Sequence, residues 1–455
     1  MSVSKPKSAP SQGQLARTLE PRHLSMIALG GAIGAGLLVA SSTAIVTAGP
    51  AVILTYLLAG LVLVLIMRML GEMSARTPET GSFSVYARRF IGPWAGFSVG
   101  WLYWWFWSVT VAIEATAAAQ IMASWWPALP QWLLALACLL VFVGLNLISV
   151  RTYGEAEFWF SAIKVGAIVL LIVLGLLAVL GLIPNDTAAF SNYWSAGGFF
   201  PQGPGAVFSA LLAVIFSMFG AEIATLAAGE SKDPAAAVTK AVRSVIFRVL
   251  FFYVGSIAVV LLVVPWTSIT SGVSPFVTML EALNIPFAAL AMNLVVLSAL
   301  LSCLNASLYA ASRMVFALAE QGDAPASFSL ISSSKAPRNA ILFSSLVGLA
   351  SVLLNYFMPE QVFSLLVNST GATGIFVWMI VALSHLRSRR VLGAEPVQGL
   401  RAFGYPWVNY GLLLALSALL VYMGVTQQHR LEVLVSSALA LGLSLLGLYR
   451  SKSAG

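Results

Sequence analysis

The sequence predicts an all-α fold, a polytopic membrane protein of twelve helices with the first and sixth interrupted near their middles. Three observations predict it. Of the 455 residues, 59% are hydrophobic and only 9% charged, with a mean hydropathy of +0.92. Soluble domains carry about 25% charged residues to cover their surfaces, so a soluble globular chain and a disordered one are both excluded. Apolar runs of about twenty residues, the length that crosses a ~30 Å hydrocarbon core, recur from end to end. Basic residues fall in every second connection between those runs.

The first 23 residues are polar and basic, with Lys5, Lys7, Arg17 and Arg22. They hold no apolar stretch before a cleavage site and read as a retained cytoplasmic tail, not a signal peptide. Apolar runs follow at about 24–46, 50–71, 96–124, 129–150, 157–182, 205–228, 244–266, 277–319, 339–357, 361–385, 405–426 and 431–449, so that 24–450 forms one transmembrane domain. The eighth run is overlong and is expected to extend into the cytoplasm. Lys and Arg set the orientation. With the N-terminus inside, the tail, the segments around the connections after runs 2, 4, 6, 8 and 10 (Lys164, inside the fifth run, counted with the 4–5 segment), and the C-terminus take all of the 24 Lys and Arg except Arg430. A different helix count would scramble this segregation. Both termini are therefore expected on the cytoplasmic side, and the net charge of +8 marks topology and anionic lipid, not nucleic acid.

Enzymatic chemistry finds no support. Cys138 and Cys303 sit inside apolar runs, and His23, His385 and His429 are far apart. They give neither a disulfide framework nor a metal-ligand spacing. HExxH, Walker A and CxxC motifs are all missing from the sequence. No cofactor is expected.

Three charges lie inside apolar runs: Glu114 in the third, Lys164 in the fifth and Glu222 in the sixth. Each costs about 2.5–3.5 kcal/mol on insertion scales, so each must face the bundle interior and find partners. Such a charge can be glue between helices or part of a transport site.

The first run reads Gly30-Gly31-Ala32-Ile33-Gly34-Ala35-Gly36. Each glycine weakens a helix by about 1 kcal/mol relative to Ala. Close packing through small residues is one reading; a break at mid-membrane that exposes backbone N–H groups to an anion is the other. The central position of the cluster favours the break. The sixth run carries Phe216-Ser217-Met218-Phe219-Gly220-Ala221-Glu222, again with a central glycine. Interrupted helices in corresponding positions point to an inverted-repeat transporter with its site at the midplane. The repeats would cover about 24–182 and 205–385, with the helices at 405–449 outside them. Trp101, Trp104, Trp105 and Trp107 of the third run read as packing or interfacial anchors. Phe216, one turn before the sixth-run break, is placed to close over a substrate.

These residues resemble a known family. Ile33-Gly34-Ala35-Gly36-Leu37, Thr80-Gly81-Ser82-Phe83 with Tyr86, Glu157-Phe158-Trp159-Phe160 leading to Lys164, Gly220-Ala221-Glu222 with Ala228-Gly229-Glu230-Ser231, and Ser302-Cys303-Leu304-Asn305 with Tyr309 to Arg313 are similar to the bacterial amino acid permeases of the amino acid–polyamine–organocation superfamily. The match runs over essentially the whole chain. Within the family, Trp101 to Trp107 and Arg68-Met69-Leu70 look most like the 4-aminobutyrate permeases. The resemblance implies the leucine-transporter-like fold, a five-plus-five inverted repeat, in the bacterial inner membrane. It implies that backbone N–H groups around Ile33, Gly34, Ala35 and Gly36 hold the substrate carboxylate. Carbonyls near Phe216, Ser217, Phe219 and Gly220 would hold the amine, with Phe216 as gate and Glu222 and Asn305 alongside. Lys164 would carry the coupling proton, with Glu222 and Glu114 as second candidates.

The chemistry of the residues agrees. An amino acid is a zwitterion and needs donors at one end and acceptors at the other, away from water. A lysine held in a dry interior can trade its proton during a transport cycle. A proton-coupled permease for 4-aminobutyrate or a related amino acid is the leading expectation. Aromatic or other neutral α-amino acids, or amino acid exchange, remain open as alternatives. A channel would want a polar pore-lining stripe, which the sequence lacks.

Overall fold

The computed structural model describes residues 33–77, 83–148, 153–220, 222, 244–332, 336–393 and 402–453. Among these every regular element is a helix. The order is α1 (Ala35–Leu38), α2 (Ala40–Ala48), α3 (Val52–Arg76), α4 (Phe83–Phe90), α5 (Pro93–Trp125), α6 (Gln131–Ile148) and α7 (Tyr153–Val179). Then come α8 (Ala206–Ser209), α9 (Leu211–Met218), α10 (Ser256–Val263), α11 (Pro275–Ala282) and α12 (Ala288–Glu320). Last are α13 (Arg338–Phe357), α14 (Val362–Leu392), α15 (Trp407–Val425) and α16 (Arg430–Ser453).

Among the described residues, 10 helical stretches are long and apolar enough to cross a membrane. The first of the twelve expected runs continues into the second as one stretch, Ala40–Ser74, within which Gly49 (φ +61°) ends α2. The sixth is seen as the short Ala206–Met218. Positions 24–32 of the first run and 221 and 223–228 of the sixth lie outside the described residues, as do the motif positions Thr80-Gly81-Ser82 and Ala228 to Ser231. The tail 1–23 does too.

The eighth run differs from expectation. It is two helices, α11 and α12, because Pro286 offers no N–H and the chain passes through Asn284 (φ +52°) and Phe287 (φ +61°) between them. α12 alone has 33 residues, about 50 Å at 1.5 Å per residue, longer than a bilayer core.

α5 is the hub. It packs along α12, α14, α16, α4, α6 and α13, and side chains on all of its faces are buried through its middle. Helices at the rim show the opposite pattern. Leu145 and Ile148 of α6, Leu353 of α13, Leu414 and Val425 of α15 and Leu441 of α16 are all exposed. Outward leucines and valines on helices this apolar form a lipid-facing coat. The expected packing role of the tryptophans holds for Trp104, whose ring stacks on Phe343 of α13 with centroids 4.9 Å apart and whose Nε1–H donates to Ser344 Oγ at 3.0 Å.

Basic residues from separate connections meet one another's segments. Arg88 pairs with Asp323, Arg450 donates to the carbonyl of Gly322 (2.7 Å), and Arg387 to that of Ile91 (3.2 Å). Beside them lies a buried cluster. Glu72 of α3 receives Arg389 Nε at 2.7 Å, Arg389 Nη2 at 2.6 Å and the Ala402 N–H at 2.9 Å. His385 Nε2 stands 3.3 Å from the same carboxylate, and its Nδ1 is 3.1 Å from Asn409. One carboxylate thus ties α3 to α14 and to the segment leading into α15.

Removing it leaves a buried guanidinium unanswered, which costs on the order of 3–5 kcal/mol. Glu72→Ala should lower both the folded yield and the melting temperature in detergent, and Glu72→Gln should fall between it and the parent. Melting curves of the purified variants check this, and an unchanged melting temperature in Glu72→Ala would show the cluster to be dispensable.

Candidate functional site

A helix start at Ala35 and a helix end at Met218 meet inside the bundle. Gly34 is extended (φ −140°, ψ −152°), so the helix begins at Ala35 rather than running through from the glycine-rich stretch before it. A helix start leaves N–H groups without intrahelical acceptors. No side chain of the cap residue serves them. Glu114 of α5 does: the Ala35 N–H donates to its Oε1 at 3.1 Å and its Oε2 at 3.2 Å. On the other side α9 stops at Met218, because Phe219 is extended (φ −68°, ψ 154°) and Gly220 takes φ +101°, a conformation that glycine adopts without a Cβ clash. Glu222 turns back on this break. Its carboxylate accepts the Gly220 N–H at 2.9 Å and the Tyr103 hydroxyl at 3.3 Å.

Small residues let the breaks approach. A Cβ on Gly36 would stand 2.5 Å from Ser217 Cα, and one on Gly34 would stand 2.6 Å from Cys303 Sγ and 2.7 Å from Glu114 Oε1. Between them lies a small, partly open cavity of about 30 Å³. Its wall is Gly34 and Gly36 from the first run, Phe106, Trp107, Thr110 and Glu114 from α5, Phe216, Ser217 and Phe219 from the sixth run, and Cys303, Ala306 and Ser307 from α12. One side is aromatic. Phe219 lies 4.2 Å from Phe106 between centroids and stacks on Trp378 of α14 at 4.9 Å.

Lys164 is 1% exposed and stands behind this wall. Its Nζ donates to Ser302 Oγ at 3.1 Å and lies 3.7 Å from Cys303 Sγ. The Cys303 thiol in turn donates to the Ile33 carbonyl at 3.4 Å. The lysine is therefore linked through one α12 side chain to the start of the first-run break.

Of the residues singled out from the sequence, Gly34, Gly36, Phe216, Ser217, Phe219 and Glu114 are brought together on the cavity wall. Ile33, Ala35, Gly220, Glu222 and Lys164 sit just behind it through the contacts above. Asn305 is placed elsewhere: its Oδ1 accepts from Asn146 Nδ2 at 2.7 Å, on the face of α12 toward α6. Several backbone groups that the resemblance assigns to a ligand already have partners within the chain. The Ala35 N–H is on Glu114. The Phe216 carbonyl accepts the Phe219 N–H at 3.3 Å, and the Ser217 carbonyl accepts the Tyr253 hydroxyl at 2.9 Å. Sequence reasoning missed Phe106, Thr110, Cys303, Ala306 and Ser307, and took Trp107 for packing. One signal was available: Thr110 and Glu114, like Cys303 and Ser307, are polar pairs four residues apart, on one face of an apolar helix.

The glycines make a sharp expectation. Gly36→Val must push α1 and α9 apart at Ser217, and substrate binding should be lost while the protein still inserts and elutes as a folded species. Gly34→Ala displaces the Glu114 carboxylate or Cys303 and should weaken binding at least tenfold. Binding measured by thermal shift or filter assay checks both, and parental affinity in Gly36→Val would reduce the glycines to packing elements.

The match to known proteins covers nearly the whole of this architecture. The protein-family model for amino acid permeases matches residues 23–446. The chain is 46% identical over 443 residues to a probable GABA permease of Pseudomonas aeruginosa, covering 96% of this chain and 93% of the relative. It is 45% identical over 433 residues to the gamma-aminobutyric acid permease of Escherichia coli K12, covering 94% and 93%. It is 42% identical over 421 residues to an aromatic amino acid transport protein of Corynebacterium glutamicum, covering 91% of each. With its interrupted helices, its buried charges and a family match from the first run into α16, this chain belongs to the amino acid permease family.

Proposed function

We propose that the chain is a proton-coupled secondary transporter that brings 4-aminobutyrate, or a closely related amino acid, into the cell across the bacterial inner membrane. The single observation that carries the coupling is the position of Lys164. It is a buried amine, one side chain away from the cavity, wired through Cys303 to the backbone at the helix break. A proton arriving or leaving there changes what Ser302 and Cys303 are held by, and so changes the wall of the site. Glu114 on the wall and Glu222 behind it are the next candidates for the relay.

Substrate class rests on the relatives and on the cavity. Proteins named as GABA permeases are 46% and 45% identical to the chain. The cavity is lined by aromatic rings, hydroxyls and the Glu114 carboxylate, which suits a zwitterion. Its aromatic side and the relatives named for aromatic amino acid transport favour aromatic amino acids as the second reading. We further propose twelve helices in a five-plus-five inverted repeat with both termini cytoplasmic. The contacts among Arg88, Asp323, Arg387, Arg450 and the Glu72 cluster support this, since they draw the basic connections to one end. Alternating access then moves the two halves around a fixed site.

The test is uptake into proteoliposomes with and without an inward proton gradient. The parent should concentrate 4-aminobutyrate only with the gradient. Lys164→Ala should lose that accumulation, while exchange of internal for external substrate persists. Gradient-driven accumulation by the variant would move coupling to Glu114 or Glu222. Uptake of phenylalanine that excess 4-aminobutyrate does not inhibit would favour the aromatic reading.

A further inference from the structure

One corner at the basic end of the bundle carries more positive charge than the described residues answer. We propose that an anionic phospholipid is seated there, with its phosphate on Arg390 and the Tyr410 hydroxyl and an acyl chain along the outer face of α15, and that this lipid braces the last two helices.

The segments 65–76, 385–393 and 402–410 meet around Glu72. They carry five arginines, Arg68, Arg76, Arg387, Arg389 and Arg390, against that one carboxylate. Glu72 is taken up by Arg389, with Arg76 3.5 Å away. Arg390, next to Arg389 on α14, is exposed. Among the described residues it makes a single hydrogen bond, from Nη2 to the Tyr410 hydroxyl oxygen at 2.8 Å. A guanidinium has five N–H donors, so most of its capacity remains. The Tyr410 hydroxyl accepts one bond and still has its own proton to give. A guanidinium and a hydroxyl side by side suit the oxygens of a phosphate.

The depth of this donor pair is that of a lipid headgroup. α15 has 19 residues, about 28 Å at 1.5 Å per residue, close to the thickness of a hydrocarbon core. Its first turn, with Trp407 and Tyr410, therefore lies at a membrane boundary, where both residue types are enriched. Arg390 reaches the same level from the last turn of α14. Below it the surface fits a chain. Trp407, Tyr410, Leu414, Val421 and Val425 are between 42% and 78% exposed. At 3.6 residues per turn they fall within about 60° of one another around α15. One apolar stripe thus runs the length of the helix from the donor pair.

Net charge selects the headgroup. A zwitterionic lipid brings its own ammonium into a positive corner, whereas phosphatidylglycerol brings only the phosphate charge. The seat adjoins the Glu72 cluster twice: Arg390 follows Arg389, and Tyr410 follows Asn409, which is 3.1 Å from His385. A lipid that joins α14 to α15 from outside acts in parallel with that cluster.

The experiment adds phosphatidylglycerol, phosphatidylcholine of the same acyl chains, or inorganic phosphate to the purified protein in detergent. Melting temperature is read against lipid concentration, and retained lipid by native mass spectrometry. Phosphatidylglycerol should raise the parent's melting temperature by several degrees, phosphatidylcholine by less than half as much, and inorganic phosphate not at all. Arg390→Ala should weaken the apparent affinity for phosphatidylglycerol about fivefold, the contribution of one basic side chain at an anionic surface. Tyr410→Phe, which keeps the ring, should weaken it by a smaller factor, and Lys452→Ala, at the same end of the bundle on α16, should leave it unchanged. Each variant is compared with and without lipid, so a change in its own stability does not mimic loss of the seat. Equal shifts with both lipids, or a parental response in Arg390→Ala, would overturn the proposal. So would an equal loss in Lys452→Ala, which would show diffuse attraction to a basic surface. A full shift with inorganic phosphate alone would mark a free-anion site and overturn the lipid.

Discussion

Backbone polar groups freed in the middle of a membrane protein have no water to turn to, and the centre of this chain is organised by that constraint. Starting a helix at Ala35 and stopping another at Met218 leaves N–H and carbonyl groups where an unsatisfied group costs several kcal/mol. The protein answers with side chains from other helices. Glu114 takes the Ala35 N–H, Glu222 takes that of Gly220, and Tyr253 donates to the Ser217 carbonyl. The two buried carboxylates are thus part of what makes interrupted helices tolerable there.

That solution has a consequence for packing. A carboxylate can reach a helix end only if that end comes close to the helix carrying the carboxylate. Gly34 and Gly36 permit it, since a single Cβ at either would fall within 3 Å of a neighbouring heavy atom. α5 carries Tyr103, Trp107 and Glu114 on the one face that meets the breaks, and the helices packed around it bury its other faces. The cavity is the space left where helix ends cannot fill the core as continuous helices do. Site and structural compromise are the same feature.

A second buried charge centre lies apart from the cavity. Glu72 gathers Arg389, His385 and the Ala402 N–H and so fixes the segment leading into α15 against α3 and α14. Breaking a buried pair is far more costly than never having had one. The cluster therefore acts as a specific fastening for the last two helices. Lys164 lies apart from that cluster: its Nζ donates to Ser302 Oγ and stands beside Cys303 Sγ at the cavity.

Much of this was legible in the chain before any coordinates. Composition and run length forced membrane-crossing helices, because lipid admits no other way to satisfy the backbone. The alternation of Lys and Arg marked which connections share a side. Glycines at 34, 36 and 220, next to isolated charges, located the helix start, the helix end and half of the cavity wall. Periodicity could not show which face of α5 or α12 turns inward, since both helices are apolar nearly all round. Trp107 and Ala306 therefore carried no signal that separated them from core, the four-residue spacings of Thr110 with Glu114 and of Cys303 with Ser307 were the one hint of an inward face, and Asn305 was drawn to the site when it faces α6. Nor could sequence foresee that Glu114 would occupy the Ala35 N–H, because the two are brought within 3.1 Å only by the packing of α5 against the first-run break. Local pattern decided where the helices run and stop; which groups meet at the stops was decided by how those helices pack.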